Sequence, residues 1–269
     1  MTVDITRPNE QDSITVQELS LYHQIMAYRA GLGLAAIPLS RALSTTAGRH
    51  VADWRENIWG EGIDLPSGDR NLHSWSDAPY YSDHRNPEAM WDAPKRVGTD
   101  YASAGYEISA AGFSTVEGAL DGWKASASHN AVLANLGVWA DIKFLAIGIG
   151  VDTSPGEGKY LGRIFHVWFG EAADSAAPSI VGTSGADAFS GTAFADDING
   201  GAGDDEIQAG RGDDEVRGAA GDDRLSGEAG DDLLHGGAGD DRLFGGSGDD
   251  RLYGVAGADM MSGGGGDDR

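Results

Sequence analysis

From Gly182 to the end of the chain a nine-residue motif recurs without a slip, and this period constrains the fold more than any other feature. The units read GTSGADAFS, GTAFADDIN, GGAGDDEIQ, AGRGDDEVR, GAAGDDRLS, GEAGDDLLH, GGAGDDRLF, GGSGDDRLY and GVAGADMMS, then an unfinished GGGGDDR. Position 8 is always large and apolar: Phe189, Ile198, Ile207, Val216, Leu225, Leu234, Leu243, Leu252 and Met261. One such side chain per nine residues makes one short strand per unit. A strand so short cannot bury its face alone, so the units must stack, two per turn, with position 8 filling the interior. Glycines at positions 1, 2 and 4 open backbone angles closed to other residues, so the intervening loops can turn tightly. An acidic glycine-rich linker would have no reason to keep a large apolar residue two places after an Asp in unit after unit.

The pattern G-G-x-G-x-D-x-U-x, with U a large apolar residue, resembles the RTX repeat, whose known ligand is calcium. The resemblance implies calcium ligation by the position 6 carboxylates Asp187, Asp196, Asp205, Asp214, Asp223, Asp232, Asp241, Asp250, Asp259 and Asp268. Stacking puts Asp205 over Asp223 and Asp214 over Asp232, ladders that repel unless neutralised. Carboxylate and carbonyl oxygens at about 2.3 to 2.6 Å suit a hard cation such as calcium. Without it the tail is expected to be largely unfolded, since little apolar area opposes chain entropy and charge repulsion. Phe194 replaces the position 4 glycine and Ala258 interrupts an Asp pair, so the first turn is expected to bind poorly. The resemblance also implies export through a type I secretion apparatus, which reads a C-terminal signal, and therefore a secreted, extracellular protein. Arg269 falls seven residues into a unit, so a natural continuation is expected.

Charge agrees with a cation as partner. Of the formal −24 of the chain, residues 178–269 carry −15, from 21 Asp and Glu against 6 Arg, and residues 1–177 carry −9, from 22 against 13 Lys and Arg. Such a field repels phosphate backbones and argues against nucleic acid. No stretch is apolar enough to span a membrane, and the N-terminus lacks a basic region followed by an apolar run, so no signal peptide is expected there. The chain has no cysteine, which leaves metal as the available staple.

Residues 1–171 have a globular texture and hold all seven tryptophans. Thr15 and Glu18 make a capping box for a helix with the stripe Leu19, Tyr22, Ile25 and Met26, ending near Gly31. Ser40 caps a second helix carrying Leu43, Ala47, His50, Val51 and Trp54. Ser114 and Glu117 read as a further capping box before Leu120, Trp123 and, further on, Leu133 and Leu136. Strands are predicted over 144–151 and 160–169, separated by the turn-like TSPGEG. Helices followed by strands indicate an α+β or layered domain.

The segments LYHQIMAYRAGLGLAAIPLSRALSTTAGRHVADW, LHSWSDAPYY, AGYEIS, DGWKASASHNAVLAN, IGIGVD and IFHVWFGE resemble, in order, those of the CAP superfamily (cysteine-rich secretory, antigen and pathogenesis-related proteins, or SCP-like domains) in a cysteine-free bacterial form. The expected architecture is α+β: a CAP-like α/β/α sandwich over 1–171, a linker over 172–181, and a parallel β-roll over 182–269. The resemblance implies a cleft in which His73, Glu107 and His129 hold zinc or another divalent ion; the fourth place falls near Ser126, which is no substitute for a carboxylate. Three ligands with an open position suit zinc and leave room for a water. Glu107 is the one candidate base or acid. His50 and His166 read as core residues, the latter sharing a strand face with Ile164 and Trp168. Three functions follow: a non-enzymatic CAP-like domain that binds an extracellular ligand (lipid, peptide or surface component) on a calcium-folded module, a metal-assisted hydrolase, or a surface component in which the repeat does the work. The first is favoured, because the fourth acidic ligand is missing and neither H-E-x-x-H nor G-x-S-x-G occurs.

Overall fold

A computed structural model describes residues 3–8, 12–59, 72–75, 77, 78, 80, 88–156, 160, 161, 163–174 and 176–269. Two compact units emerge, Met1–Ser13 with Ser20–Ala176, and Ile14–Leu19 with Ala177–Arg269. Strand β1 (Ile14–Thr15) leads into helix α1 (Val16–Gly31). The predicted capping box is present: the Thr15 amide donates to Glu18 Oε2 at 2.8 Å, and the Glu18 amide to Thr15 Oγ1 at 3.2 Å.

Helix α2 (Arg41–Ala52) starts at Ser40, whose Oγ accepts the Leu43 amide at 3.0 Å. It is buried from Ala42 to Ala52 and continues into a π-helical stretch, Asp53–Trp59. Two single turns follow, α3 (Glu88–Trp91) and α4 (Ala93–Arg96), then strand β2 (Gly105–Ala111). Helices α5 (Val116–Ala125) and α6 (Ala127–Leu133) precede β3 (Ala146–Asp152) and β4 (Ile164–Gly170). The three strands form an antiparallel sheet in the order β2-β4-β3. Gly148 and Gly150 explain how α2 lies so close to that sheet. A Cβ on either would stand 2.1 and 2.4 Å from the backbone of Leu43 and Ala47, so the alternation in IGIG is a flat seat for a helix.

Three sequence expectations shift here. The cap of α5 is Thr115, not Ser114, and its Oγ1 accepts the Gly118 amide at 3.1 Å. Either residue type can cap. The helical stretch breaks at Ser126, in extended conformation, so Leu133 belongs to a separate helix. Leu136 lies beyond it and is exposed.

The second unit is a parallel β-roll of about five turns. Its strands are β5 (Ser179–Val181), β6 (Ala188–Ser190), β7 (Asp197–Ala202), β8 (Glu206–Arg211), β9 (Glu215–Ala220), β10 (Arg224–Ala229), β11 (Leu233–Ala238), β12 (Arg242–Ser247), β13 (Arg251–Ala256) and β14 (Met260–Gly265). Alternate strands pair in parallel: one sheet runs β1-β5-β7-β9-β11-β13 and the other β14-β12-β10-β8-β6. Register is set by eighteen residues, two units, so Leu225 pairs with Leu243 and Leu234 with Leu252. Position 8 is fully buried from Ile198 to Leu243, Leu252 is nearly so, and Met261 is 52% exposed. Ser179–Val181, in the stretch expected as linker, forms β5, and β1 pairs with it through Ile14 and Ile180. Val255 takes a position 2 site with φ of 83°, where half of the units place glycine.

Candidate calcium and histidine–glutamate sites

In the roll, tight loops bring each position 6 carboxylate above the one eighteen residues away. Oδ1 accepts the backbone N–H of its neighbour along the whole stack, at 2.9 Å for Asp205 to Asp223 and for Asp214 to Asp232. The expected superposition is therefore present. Oδ2 has a different fate. For Asp205, Asp214, Asp223, Asp232, Asp241 and Asp250 it is buried with no hydrogen-bond partner. For Asp223, Asp232, Asp241 and Asp250 the glycine at position 1 leaves the space beside it open: a Cβ at Gly218, Gly227, Gly236 or Gly245 would fall 2.1 to 2.2 Å from that oxygen, whereas Asp214 has Ala209 at this place.

An anionic oxygen buried without a donor is destabilised. Burial pushes the Asp214 carboxyl up to about 7 and those of Asp223 and Asp232 to about 6, with neighbouring carboxylates adding to the rise. Burial also raises Asp205, Asp241 and Asp250. A hard cation is the ligand that relieves all six at once, and the donor set fits calcium. The first turn differs for a chemical reason. Thr183 and Thr192 donate their amides, at 2.6 Å each, to Oδ2 of Asp187 and Asp196, so these carboxylates already have partners. At the other end Asp259 and Asp268 serve as Oδ1 acceptors at 3.1 Å.

The second site is built on β2. Glu107 pairs across the sheet with Trp168 and Ser109 with His166, so these four side chains share one face. His50 comes to it from α2. Glu107 accepts from three imidazoles: His50 Nδ1 at 2.7 Å and His166 Nδ1 at 2.6 Å on Oε1, and His73 Nδ1 at 2.7 Å on Oε2. Trp54 Nε1 donates to His50 Nε2 at 3.2 Å, which also lies 3.0 Å from the Ser74 carbonyl oxygen. The Nε2 of His166 is buried without a partner. Burial raises the Glu107 carboxyl, but the His50 and His166 imidazoles outweigh it and hold the group well below the usual carboxylate range. Burial, and then the neighbouring His50, push His166 down to about 4.

The oxygen and nitrogen atoms of His50, Glu107 and His166 converge closely enough for a metal. In the structure the three groups form a hydrogen-bonded cluster. The His50 and His166 rings stack at 3.9 Å and 19°, with both Nδ1 atoms directed at the same oxygen, Oε1 of Glu107. Of the sequence-derived set, His73 and Glu107 are thus in direct contact. His129, on α6, is shifted down by burial first and by His73 second, which puts the two histidines within electrostatic reach. As a base Glu107 is committed, since both its oxygens accept from imidazoles. Sequence reasoning took His50 and His166 as core, and they are fully buried, but it missed that they close around Glu107. The available signal was the polar side chain set at i+3 and i+7 to Ala47 and Leu43 in an otherwise apolar stripe.

A cavity of about 290 Å³ lies beside this cluster, lined by Tyr80, Met90, Trp91, Tyr106, Glu107, Val132 and Trp139. No helix among the described residues is long and apolar enough to cross a membrane.

Comparison with known proteins defines the class of the roll: residues 181–216, 208–243, 217–252 and 235–269 match the RTX calcium-binding nonapeptide repeat. RTX repeats bind calcium, and proteins that carry them are typically secreted. No curated protein matches the chain. Among solved structures, an outer surface protein from Borrelia burgdorferi aligns at 18% identity with a TM-score of 0.39, over 61% of this chain and 96% of that one.

Proposed function

We propose that this is an exported protein whose roll folds on extracellular calcium and carries an N-terminal unit that binds a ligand or partner. The observation that carries the first half is the row of six buried Oδ2 atoms without donors. Such a row disfavours the folded roll where calcium is scarce and favours it where calcium is plentiful, which suits passage through a type I secretion apparatus as an unfolded chain. The ten position 6 residues from Asp187 to Asp268 are the proposed ligands, with the interior six the strongest.

For the N-terminal unit we propose a CAP-like domain over 1–171. Support comes from the ordered motifs, the seating of α2 on β3, and the gathering of His73 and Glu107 with His129 in electrostatic reach. A divalent ion is proposed at His73 and His129, with Glu107 orienting His73 through its Nδ1–H, as carboxylates commonly orient metal-binding imidazoles. The test uses the full chain. In calcium, limited proteolysis is expected to leave residues 182–269 intact, and in EGTA to degrade them; equal resistance in both refutes calcium-driven folding. Metal content and melting temperature of His73→Ala and His129→Ala, unchanged from the parent, would remove the second ion.

A further inference from the structure

We propose that the first turn of the roll, closed by β1 and by Thr183 and Thr192, is a calcium-independent seed on which the calcium-bound turns assemble. This rests on the reading of the roll as calcium-folded and adds where that folding starts. Loop geometry changes at the boundary. In every unit from Gly200 onward, positions 2 and 4 both take positive φ, as at Gly201 and Gly203 (106° and 110°) or Glu228 and Gly230 (73° and 140°). In the first two units Thr183 with Gly185, and Thr192 with Phe194, do not. There the hydroxyls shape the loop instead: the Gly185 and Phe194 amides donate to Thr183 and Thr192 Oγ1 at 3.2 and 3.1 Å. Each threonine also turns its own amide on the position 6 carboxylate four residues on, at 2.6 Å. Its hydroxyl adds a second bond, to Asp187 Oδ2 at 2.9 Å and to Asp196 Oδ1 at 3.1 Å.

An apolar stack and a closed edge complete the turn. Ile14, Ile180 and Ile198 lie in register in β1, β5 and β7 and are fully buried. The capping box of Thr15 and Glu18 that fixes β1 contains none of the position 6 carboxylates. The Ser179 hydroxyl donates to Asp197 Oδ2 at 2.6 Å, and the Gly182 amide to the Asn199 carbonyl at 2.8 Å. Burial still lifts the Asp196 carboxyl to about 6 against its bonds from Thr192, so the buried isoleucines supply the balance. The seed also presents ready partners to the next turn. The Asp187 and Asp196 amides donate to Oδ1 of Asp205 and Asp214 at 2.8 Å each, and their carbonyls accept the Glu206 and Glu215 amides at 2.8 and 2.9 Å. Each repeat contacts only its neighbours, so a turn added to a formed one gains an interface that an isolated turn lacks. Calcium-driven assembly therefore runs from Asp205 toward Asp268, and the degradation in EGTA expected above stops short of the first turn.

The experiment is hydrogen–deuterium exchange of the full chain, read by mass spectrometry in EGTA and through a calcium titration. In EGTA residues 179–199 are expected to exchange about tenfold more slowly than residues 203–269. As calcium is added, protection is expected to reach residues 203–220 before 248–269. Thr183→Val with Thr192→Val removes both hydroxyls at nearly constant shape and should lose most of the protection of residues 179–199 in EGTA. Ile14→Ala should raise the calcium midpoint of the interior roll roughly two- to fourfold, the loss of one buried isoleucine spread over six sites. Free exchange of residues 179–199 in EGTA, protection that starts at the C-terminal end, or parent-like behaviour of either variant would refute the seed and leave calcium-driven folding standing. Equal protection of residues 182–269 with and without calcium would refute both.

Discussion

Asp223→Asn isolates the charge of one interior carboxylate. Asp223 Oδ1 accepts the Asp205 amide at 2.9 Å, and its own amide donates to Asp241 Oδ1 at 2.9 Å. An Asn side chain keeps the first bond and does not disturb the second. What is lost is the charge at Oδ2, the atom without a partner. If one ion binds with a dissociation constant of about 10⁻⁴ to 10⁻³ M, as in extracellular calcium modules, then 10 mM calcium stabilises the fold by about 1.4 to 2.7 kcal/mol per site. Losing one site should lower the melting temperature of the calcium-loaded roll by roughly 5 to 20 °C, given its length. In EGTA the sign reverses. Burial holds the Asp223 carboxyl up at about 6, so at pH 7 its ionised form disfavours the metal-free fold, and the neutral amide removes that penalty. Calorimetric melts with and without calcium, with calcium counted by elemental analysis, read both effects. A variant that melts like the parent in calcium with unchanged stoichiometry, or that loses equal stability in EGTA, would refute the assignment of Oδ2 to the ion.

The remaining expectations concern packing, backbone and pH. Leu234→Ala, at a fully buried position, should destabilise the loaded roll by about 2 to 5 kcal/mol, whereas Met261→Ala, 52% exposed, should change urea midpoints little; similar losses would refute a core that ends at Leu252. Val255→Gly should stabilise the roll by about 1 kcal/mol, because a β-branched residue at φ of 83° is strained where glycine is not; a loss on urea denaturation would show that its side chain packs. Acidification in EGTA should move the two units in opposite directions. The roll carboxyls are raised above their unfolded values, so their stability is present below about 4 and lost as pH rises through 6 to 7. His166 is lowered to about 4, so the N-terminal unit is stable above about 6.5 and weakens as pH falls toward 4. Near-ultraviolet dichroism follows the tryptophans and hydrogen–deuterium exchange of residues 182–269 the roll; parallel loss of both signals would refute this.

Legibility in the sequence tracked how local the determining interactions are. The roll could be read because its period fixes its register: eighteen residues separate Asp205 from Asp223, and nothing outside the repeat decides that they stack. Capping at Ser40 and at Thr15 with Glu18 was readable for the same reason, since donor and acceptor lie three residues apart. The cap of α5 slipped by one residue because adjacent Ser114 and Thr115 are chemically interchangeable there. Legibility failed where partners are remote. His50, Glu107 and His166 are brought together by the pairing of β2 with β4 and by the seating of α2, so no window of sequence contains their contact. Thr183 and Thr192 were also missed as carboxylate partners, although the Thr at position 2 of only the first two units was the visible sign.

The chain buries carboxylates by two opposed means, and the difference decides which part is conditional. Glu107 is satisfied from within: three imidazoles, from α2, from His73 and from β4, supply donors that exist in any medium once the chain folds. The six interior Asp residues of the roll have one oxygen satisfied by backbone and one left bare. Their missing partner cannot come from the repeat, which contains no Lys and places its Arg at positions 3, 7 and 9, away from Oδ2. At Gly218, Gly227, Gly236 and Gly245 even a Cβ would overlap the oxygen, which bars a basic residue there, and the unit of Asp214 carries only the small Ala209 at this position. At Asp187 and Asp196 the threonines supply such a partner, although burial still pushes the Asp196 carboxyl up to about 6. On the proposed reading, retention of the bare carboxylates through the middle of the roll would make folding a response to the calcium in the surrounding medium.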